Sequence, residues 1–571
     1  MAGAMTTTAV RQTRPRLATQ GRVARTAWML LPAVAFLGVF FVYPLWELLL
    51  RSLHSAGDPT LDLSALTIAN FSSAFADSTF WTMLRATLVL AAGSTVITVI
   101  AAYPMAYFLS RAPRQVARIL LLAVMIPYFS SILVRLYAFK AVLTPLGLQG
   151  TATGALVGMV AYLLPFMIVM LYAAMVAIPA NLGPAARTMG ASPIRVFTRV
   201  LFPLSRPGLV AATLFVFVTS LGFYLTPAVL GDPTKQVVST YIQQKISQYQ
   251  WGAASAVGIT LLVATLVLFV VSGRALSLST VVTASSGKGA SSTGTFRWTR
   301  GNVALGLWSS AVVLFLMLPL VLVVWASFTS ESYLQFPPSG YSLRWYREVL
   351  SDSGWFNAAW LSVKIGVMTA LIATALGLGA AFGIVRGGLP FKGVATTFFY
   401  MPLIVPVVLV GGALFGLLVR ERMTGTLTGF VIGHVVLTLP VTVIILTNAL
   451  SSSSRNVELA ARTLGANQLQ VFVRITVPAV SASLGAAALI SFLISWDEAV
   501  VSLFLTVDQQ SLPVKYLIFV RSQLLPTVAA VGTLLLLASL LAYVAFTQGT
   551  RLVLRAWRGH LDRREGMSSH V

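Results

Sequence analysis

The sequence predicts an all-α protein that crosses a membrane about twelve times, as two parallel repeats of six helices each. Of the 571 residues, 57% are hydrophobic and 9% are charged, whereas soluble domains carry about 25% charged residues. Apolar runs long enough to cross a ~30 Å hydrocarbon core recur along the chain. Prolines and one polar motif recur at a constant offset of 275 positions.

The prolines make the repeat visible. Four prolines of the first half are each followed by another 275 positions later: Pro44 and Pro319, Pro127 and Pro402, Pro165 and Pro440, and Pro203 and Pro478. Asp77 and Asp352 are related in the same way, and ten of the nineteen positions from 185 to 203 are identical to their partners. This self-similarity indicates that one module was duplicated and fused.

The apolar runs predict six spans in each half. Membrane barrel strands would alternate apolar and polar residues over about ten positions. These runs are continuously apolar, so we expect helices. The predicted spans are 27–50, 83–109, 119–143, 153–178, 207–230, 253–273, 302–326, 358–385, 394–419, 427–450, 481–505 and 525–547.

The basic residues predict the orientation. Seven segments hold 26 of the 39 Lys and Arg but only three of the 15 acids, so they carry +23 of the net charge of +24. With twelve spans all seven lie on one side, which the Lys/Arg bias predicts to be the cytoplasm. Both termini are then cytoplasmic. Because the basic residues are spread over loops rather than along one groove, we expect no nucleic-acid binding. The segments are 1–26, 110–118, 179–206, 274–300, 386–393, 451–480 and 549–571.

The first apolar stretch follows several arginines, as in an export signal. It is about 24 residues long, which exceeds the apolar region of a signal peptide and predicts an uncleaved span. The absence of cysteine excludes disulfides, thiol catalysis and cysteine-based metal sites. Residues 283–294 are rich in Ser, Gly and Thr, which is typical of a flexible linker.

These patterns divide the chain into five parts. The predicted parts are a basic cytoplasmic N-terminus at 1–26, a first repeat at 27–273 with a polar loop at 179–206, a cytoplasmic linker at 274–300, a second repeat at 301–548 with a polar loop at 451–480, and a basic cytoplasmic tail at 549–571.

The two polar loops share the best-matched block of the repeat. Helix-forming residues lead to Gly190, which suits a left-handed helix end, and Ser192 then stands at an N-cap with Pro193 behind it. The second copy has Gly465 and Asn467 in these places. Each loop therefore predicts helix, glycine turn and short helix. A basic amphipathic helix lying on the membrane is the alternative interpretation.

This block resembles the EAA loop of ABC-importer permeases. The residues are Ala185, Ala186, Gly190 and Ala191 in one copy and Ala460, Ala461, Gly465 and Ala466 in the other, with Pro203 and Pro478 thirteen residues after each glycine. Further stretches resemble the two permease subunits of spermidine/putrescine importers: 222–231 the first, and 342–347, 495–498 and 512–514 the second. The family's motif glutamate is missing, since Pro184 and Leu459 stand there and Glu458 lies one position early.

The resemblance implies a type I ABC-importer fold and a transport subunit of the bacterial plasma (inner) membrane rather than an enzyme. Those eight alanines and glycines would then dock on an ABC ATPase dimer at the cytoplasmic face, and an extracytoplasmic solute-binding protein would deliver a small solute. The sequence lacks the G-x-x-x-x-G-K-[ST] phosphate loop. We therefore expect no bound cofactor or metal in this chain and ATP hydrolysis on a separate subunit.

Asp497 and Glu498 are the most unusual residues within a predicted span. An acid in a membrane span is costly, which makes both candidates for the substrate pathway. Adjacent helical residues point about 100° apart, so we expect one of them, Asp497, to face the pathway. The alternative interpretations are a structural pair with Arg135, Lys140 or Lys364, or a charge at a helix end that reaches the headgroups.

Other polar or helix-breaking residues also lie within the predicted spans. We expect His434 to be a packed, hydrogen-bonded residue. Four prolines free backbone carbonyls that can line a cavity, or shape helix packing instead; these are Pro127, Pro165, Pro402 and Pro440.

Polyamines are the first substrate expectation, on the resemblance alone. Ferric iron and 2-aminoethylphosphonate are the alternatives, because relatives of this shape import them. A secondary transporter is the alternative class. It would have no reason for two matched docking loops and would need intramembrane proton or ion relays. A membrane scaffold without transport remains a third possibility.

Overall fold

The computed structural model describes residues 27–54, 66–179, 181–275, 299–335, 337–522, 524–542, 544 and 548. Within these residues the chain is helical, and its β-structure is one isolated bridge between Thr329 and Tyr341. The predicted basic N-terminus and nearly all of the linker and the basic tail lie outside the described residues.

The first half contains eleven described helices. They are α1 (Trp28–Ser52), α2 (Ala69–Ala76), α3 (Ser78–Leu109), α4 (Arg114–Phe129), α5 (Ile132–Leu143), α6 (Ala152–Val176), α7 (Leu182–Thr188), α8 (Pro193–Leu221), α9 (Leu225–Leu230), α10 (Val238–Ser247) and α11 (Trp251–Ala275).

Twelve described helices follow in the second half. They are α12 (Arg300–Ala326), α13 (Arg344–Ser351), α14 (Ser353–Arg386), α15 (Lys392–Leu403), α16 (Val407–Arg420), α17 (Leu427–Ser452), α18 (Arg455–Thr463), α19 (Gln468–Ala479), α20 (Ser481–Asp497), α21 (Val500–Leu505), α22 (Leu512–Ser522) and α23 (Pro526–Ala542).

The offset of 275 reappears in the helix ends. Helices α2, α3, α5, α6, α9 and α11 each begin 275 residues before α13, α14, α16, α17, α21 and α23. Asp77 caps α3 by accepting the N–H of Thr79 at 2.8 Å, and Asp352 caps α14 in the same way. The hydroxyl of Thr79, together with this N–H, lowers the pKa of the Asp77 carboxyl. N-cap side chains satisfy N–H groups that the helix leaves free. The repeated sequence therefore builds repeated helix ends.

Eight described helices are long and apolar enough to span a membrane, and three bent helix pairs raise this number to eleven. The shorter apolar helix α23 occupies the last predicted span. Four predicted spans are not continuous helices, and three of them are as follows. Span 119–143 is α4 and α5 at 88°, span 394–419 is α15 and α16 at 91°, and span 481–505 divides into α20 and α21.

Proline and capping chemistry account for two of these breaks. Pro406 is the N-cap of α16, and a residue before proline is disfavoured in the helical region. In the first half Ser131 is the N-cap of α5 and accepts the N–H of Leu133 at 3.2 Å. Predicted span 207–230 likewise ends early, because α8 stops at Leu221 and α9 follows as a separate helix. Apolar composition alone does not reveal these interruptions.

The first helix of each half packs on the other half. Helix α1 lies against α14 and α16, and α12 lies against α3, α4 and α5. The indole of Trp308 in α12 donates to the Ala101 carbonyl of α3 at 3.0 Å. This exchange ties the two repeats into one body around their common interface.

Candidate functional site

The two repeated loops have the same backbone conformation. Gly190 and Gly465 have φ of +83° and +91°, a left-handed conformation that favours glycine. The following alanine N–H groups donate five residues back, Ala191 to the Ala186 carbonyl and Ala466 to the Ala461 carbonyl, both at 3.0 Å. This is the Schellman helix ending. The glycine turn expected from the sequence is therefore present in both copies.

The predicted loop residues have matching surroundings in the two copies. Ala185 and Ala460 are exposed, while Ala186, Ala461, Ala191 and Ala466 are partly buried. A Cβ atom at Gly190 or Gly465 would have no other atom within 4 Å. The surface beside each glycine is thus open, and the backbone conformation is what requires glycine there.

Four exposed apolar side chains of the loops were not selected from the sequence. Met189 and Leu464 are 87% and 88% exposed, and they are 275 positions apart. Ile194 and Leu469, at 76% and 69%, are related in the same way. Exposed apolar groups beside a polar loop are typical of a protein contact surface. Their conserved apolar character at matched positions of the repeat was the signal that could have found them.

The loops differ in how they are held. In the second half Glu458 accepts hydrogen bonds from Nε and Nη2 of Arg386 at 3.2 and 3.0 Å, and the pair is nearly buried. The first-half counterparts are Gly183 and Arg111, and glycine has no carboxylate to offer. Arg111 instead lies over the Tyr107 ring at 4.2 Å. Among the described residues, an ion pair therefore fixes the second loop to α14, and the first loop has no equivalent ion pair.

A cavity of about 280 Å³ lies between the two halves. Residues from α5, α6, α8 and α9 line it on one side, and residues from α16, α20 and α21 line it on the other. Its polar and aromatic lining includes Arg135, Tyr162, Tyr224, Trp496, Asp497 and Glu498. The breaks in the membrane helices thus surround a space that both repeats share.

Asp497 and Glu498 both line this cavity, at the break between α20 and α21. Both side chains therefore reach the same cavity, and the helical geometry from which we expected them to point apart does not hold at this break. Helix α20 ends at Asp497, and Glu498 is extended with ψ of 109°, so the 100° rotation between helical neighbours does not apply.

Each acid also accepts hydrogen bonds at the start of a helix. The Ile132 N–H of α5 donates to the two Asp497 oxygens at 3.1 and 3.0 Å, and the Ser131 hydroxyl donates to Oδ1. Glu498 Oε1 accepts the N–H groups of Val500 and Val501 at 2.7 and 2.8 Å. The positive end of a helix favours a carboxylate. The acids therefore contribute to the fold as well as to the cavity.

The three cations considered as partners of the acids have different positions. Arg135 lines the same cavity and lies over the Tyr162 ring at 5.1 Å. Lys140 is buried, and its ammonium group donates to the Val520 carbonyl at 2.6 Å. Lys364 is exposed. The charges within the cavity are thus two acids and one arginine among the described residues.

His434 is buried and hydrogen-bonded, as expected. Its ring nitrogens lie 2.7 and 2.8 Å from the hydroxyls of Ser495 and Ser502. These serines stand on either side of the break that carries the two acids. The histidine therefore holds α20 and α21 in place around that break.

Comparison with known proteins gives this arrangement a family. The sequence model of one protein family, described as binding-protein-dependent transport system inner membrane component, matches residues 94–277 and again residues 373–564. The two matches lie one in each repeat and together cover more than half of the chain.

Individual relatives correspond to a single repeat. The spermidine/putrescine transport system permease protein PotB of Escherichia coli (strain K12) is 25% identical over 260 residues, which are 42% of this chain and 94% of the relative. The putrescine transport system permease protein PotI of the same strain is 33% identical over 233 residues, covering 39% and 82%. Among solved structures, a bacterial alginate ABC transporter in complex with an alginate pentasaccharide-bound periplasmic protein matches 44% of this chain and 94% of its own, with 18% identity and a TM-score of 0.39.

Two matches to one domain model, two sets of membrane helices and two copies of the polar loop agree. The chain belongs to the family of binding-protein-dependent transport system inner membrane components, and it carries two copies of the family's domain in one polypeptide.

Proposed function

We propose that this chain forms the translocation pathway of an ATP-driven, binding-protein-dependent importer for a polyamine. The observation that carries the proposal is the cavity between the repeats, with Asp497 and Glu498 in its wall. A binding site at the interface of two repeats near the membrane midplane is common among transporters. The chain would lie in the bacterial inner membrane with both termini in the cytoplasm.

The cavity lining suits an organic cation. Tyr162, Tyr224 and Trp496 line it beside the two acids, and aromatic faces attract ammonium groups. A charge pair at ~4 Å is worth about 1 kcal/mol in bulk water and several times more where water is partly excluded. PotB and PotI, whose names specify spermidine and putrescine transport, add support for this substrate class.

The repeated loops would transmit ATP hydrolysis from a separate ATPase dimer. Beside their two glycine turns, Met189 and Leu464 are exposed at matched positions of the repeat. Two matched surfaces suit two matched subunits, and apolar side chains at the centre of a contact are typical of protein interfaces. This chain would bind no nucleotide itself.

A second substrate, 2-aminoethylphosphonate, is favoured by Arg135. That guanidinium lines the cavity together with the acids, so the cavity offers partners for an amine and for a phosphonate. Arginine matches phosphate-like oxygens in two-point geometry. A polyamine has no group for this arginine, which makes the two substrates distinguishable.

Uptake into proteoliposomes tests the proposal. The chain is reconstituted with the ATPase and the binding protein that co-purify with it, and uptake of labelled spermidine, 2-aminoethylphosphonate and ferric iron is compared with and without internal ATP. We expect ATP-dependent uptake of spermidine. Uptake driven by an ion gradient without ATP would instead indicate a secondary transporter, and preferred uptake of 2-aminoethylphosphonate would reassign the substrate.

A further inference from the structure

Asp497 joins the two repeats across the cavity. It is the last residue of α20 in the second half, and its carboxylate accepts hydrogen bonds from the Ile132 N–H and the Ser131 hydroxyl of the first half. Ser131 and Ile132 are the N-cap and first residue of α5. One side chain therefore holds the start of a broken span in the opposite repeat.

The location makes this contact stronger than a surface hydrogen bond. Ser131 is 5% exposed, and both acids lie in the wall of a cavity within apolar helices. A carboxylate is stabilised at the positive end of a helix, and the attraction grows where water is scarce. The contact accordingly favours the arrangement in which the two repeats touch at this point.

The matching contact on the other side of the interface has no such bond. The counterparts of Asp497 and Ser131 at the offset of 275 are Gly222 and Pro406. These two also meet, and a Cβ atom at Gly222 would lie 2.7 Å from the Pro406 Cβ. The repeats are thus joined by a polar contact on one side and by close apolar packing on the other.

We propose that the contact between Asp497 and the start of α5 is a latch that closes the two repeats on each other. Transporters built from repeats alternate access by rocking one repeat against the other, so a bond between the repeats at the cavity must open in each cycle. A cationic substrate entering the cavity competes with α5 for the carboxylate and weakens the latch. This last step rests on the proposed polyamine function.

A disulfide in place of the latch tests it directly, because the chain has no cysteine of its own. Ser131→Cys/Asp497→Cys should form a cross-link under mild oxidation, and ATPase activity without substrate should fall by tenfold or more on oxidation and recover on reduction. The matched control is Ser94→Cys/Ser220→Cys. Those hydroxyls lie 3.3 Å apart within the first repeat, so this cross-link should leave ATPase activity without substrate unchanged.

A second variant covers the case in which the reduced double-cysteine chain does not fold or has no ATPase activity. Ser131→Ala keeps both acids and removes one hydrogen bond of the latch. ATPase activity without substrate should rise roughly tenfold, the change expected for the loss of a hydrogen bond to a charged group.

The outcomes separate the latch from the proposed function. ATPase activity unchanged by the cross-link, failure of the cross-link to form, or unchanged substrate-free ATPase activity in Ser131→Ala would each overturn the latch. Wild-type chain that does not take up spermidine would instead overturn the proposed polyamine function and leave the effect of the cross-link on ATPase activity unchanged.

Discussion

Two contacts at the interface between the repeats occupy equivalent places and differ in chemistry. On one side the Asp497 carboxylate accepts the Ile132 N–H at 3.0 Å, and on the other Gly222 lies against Pro406 with no space for a side chain. Other polar groups of the cavity likewise have apolar residues at the equivalent positions of the other repeat. Glu498, Arg135 and Tyr162 have Phe223, Val410 and Leu437 as counterparts.

The difference teaches which parts of a duplicated module are free to diverge. Asp77 and Asp352 cap equivalent helices with the same bond, and Gly190 and Gly465 keep the same left-handed turn. Those residues build the frame and the surfaces that both repeats present. The residues that face the shared cavity are present once per molecule, so a single copy can specialise for a substrate.

The largest effect is expected from the two glycine turns, which have the same conformation in both repeats. Gly190→Val/Gly465→Val places a β-branched residue at two left-handed positions, at a cost of about 1–2 kcal/mol each. Uptake and ATPase binding should be lost while the chain still inserts in the membrane. Gly301→Ala, at a helical position with open space around it, is the control. Normal uptake by the double variant would remove the two loops from the coupling mechanism.

The next effect is expected at the apolar side of the interface. Gly222→Ala brings a methyl group to 2.7 Å from the Pro406 Cβ and 3.1 Å from its Cα. Overpacking of this kind costs about 1–3 kcal/mol, so uptake should fall by up to about tenfold. Gly393→Ala meets no atom within 4 Å and should transport normally. Equal uptake by the two variants would show that close packing at this contact is not required.

A smaller effect is expected from the ion pair between Arg386 and Glu458, which only the second loop has in the part of the chain that the structure describes. Glu458→Gln removes the charge partner of Arg386, and hydrogen bonds to charged groups contribute about 1.5–3 kcal/mol. The ratio of spermidine transported to ATP hydrolysed should fall several-fold. The swap Arg386→Glu/Glu458→Arg should restore part of the ratio, whereas Arg111→Gln in the first repeat should have less effect. An equal loss from Arg111→Gln would contradict the asymmetry of the two loops.

The smallest effect is expected from cutting the chain between the repeats. Each repeat packs its first helix on the other, and the linker is rich in Ser, Gly and Thr. Co-expressed residues 1–286 and 287–571 should therefore reassemble and transport at close to the rate of the intact chain. Loss of transport, with both halves inserted, would assign the linker a structural role.

The frame could be predicted from the sequence because its signals are local. Apolar runs, the cap at Asp77 and the glycine turns at Gly190 and Gly465 follow from neighbouring residues. The breaks beside Pro406 and after Asp497 could not be placed, because an apolar run has the same composition whether it is straight or bent. The hydrogen bond from the Ile132 N–H to Asp497 joins residues 365 positions apart, and no local sequence pattern predicts it.

The central claim is that the acids in the cavity carry a cation, and neutralising them tests it most directly. Spermidine uptake is measured in proteoliposomes for Glu498→Gln and for Asp497→Asn, with Asp232→Asn in an exposed loop as the control. We predict that Glu498→Gln lowers uptake by roughly tenfold, the value of one charge contact in a partly shielded site, while ATPase activity without substrate is retained. Uptake at the wild-type rate by both cavity variants would contradict a cation pathway through this cavity.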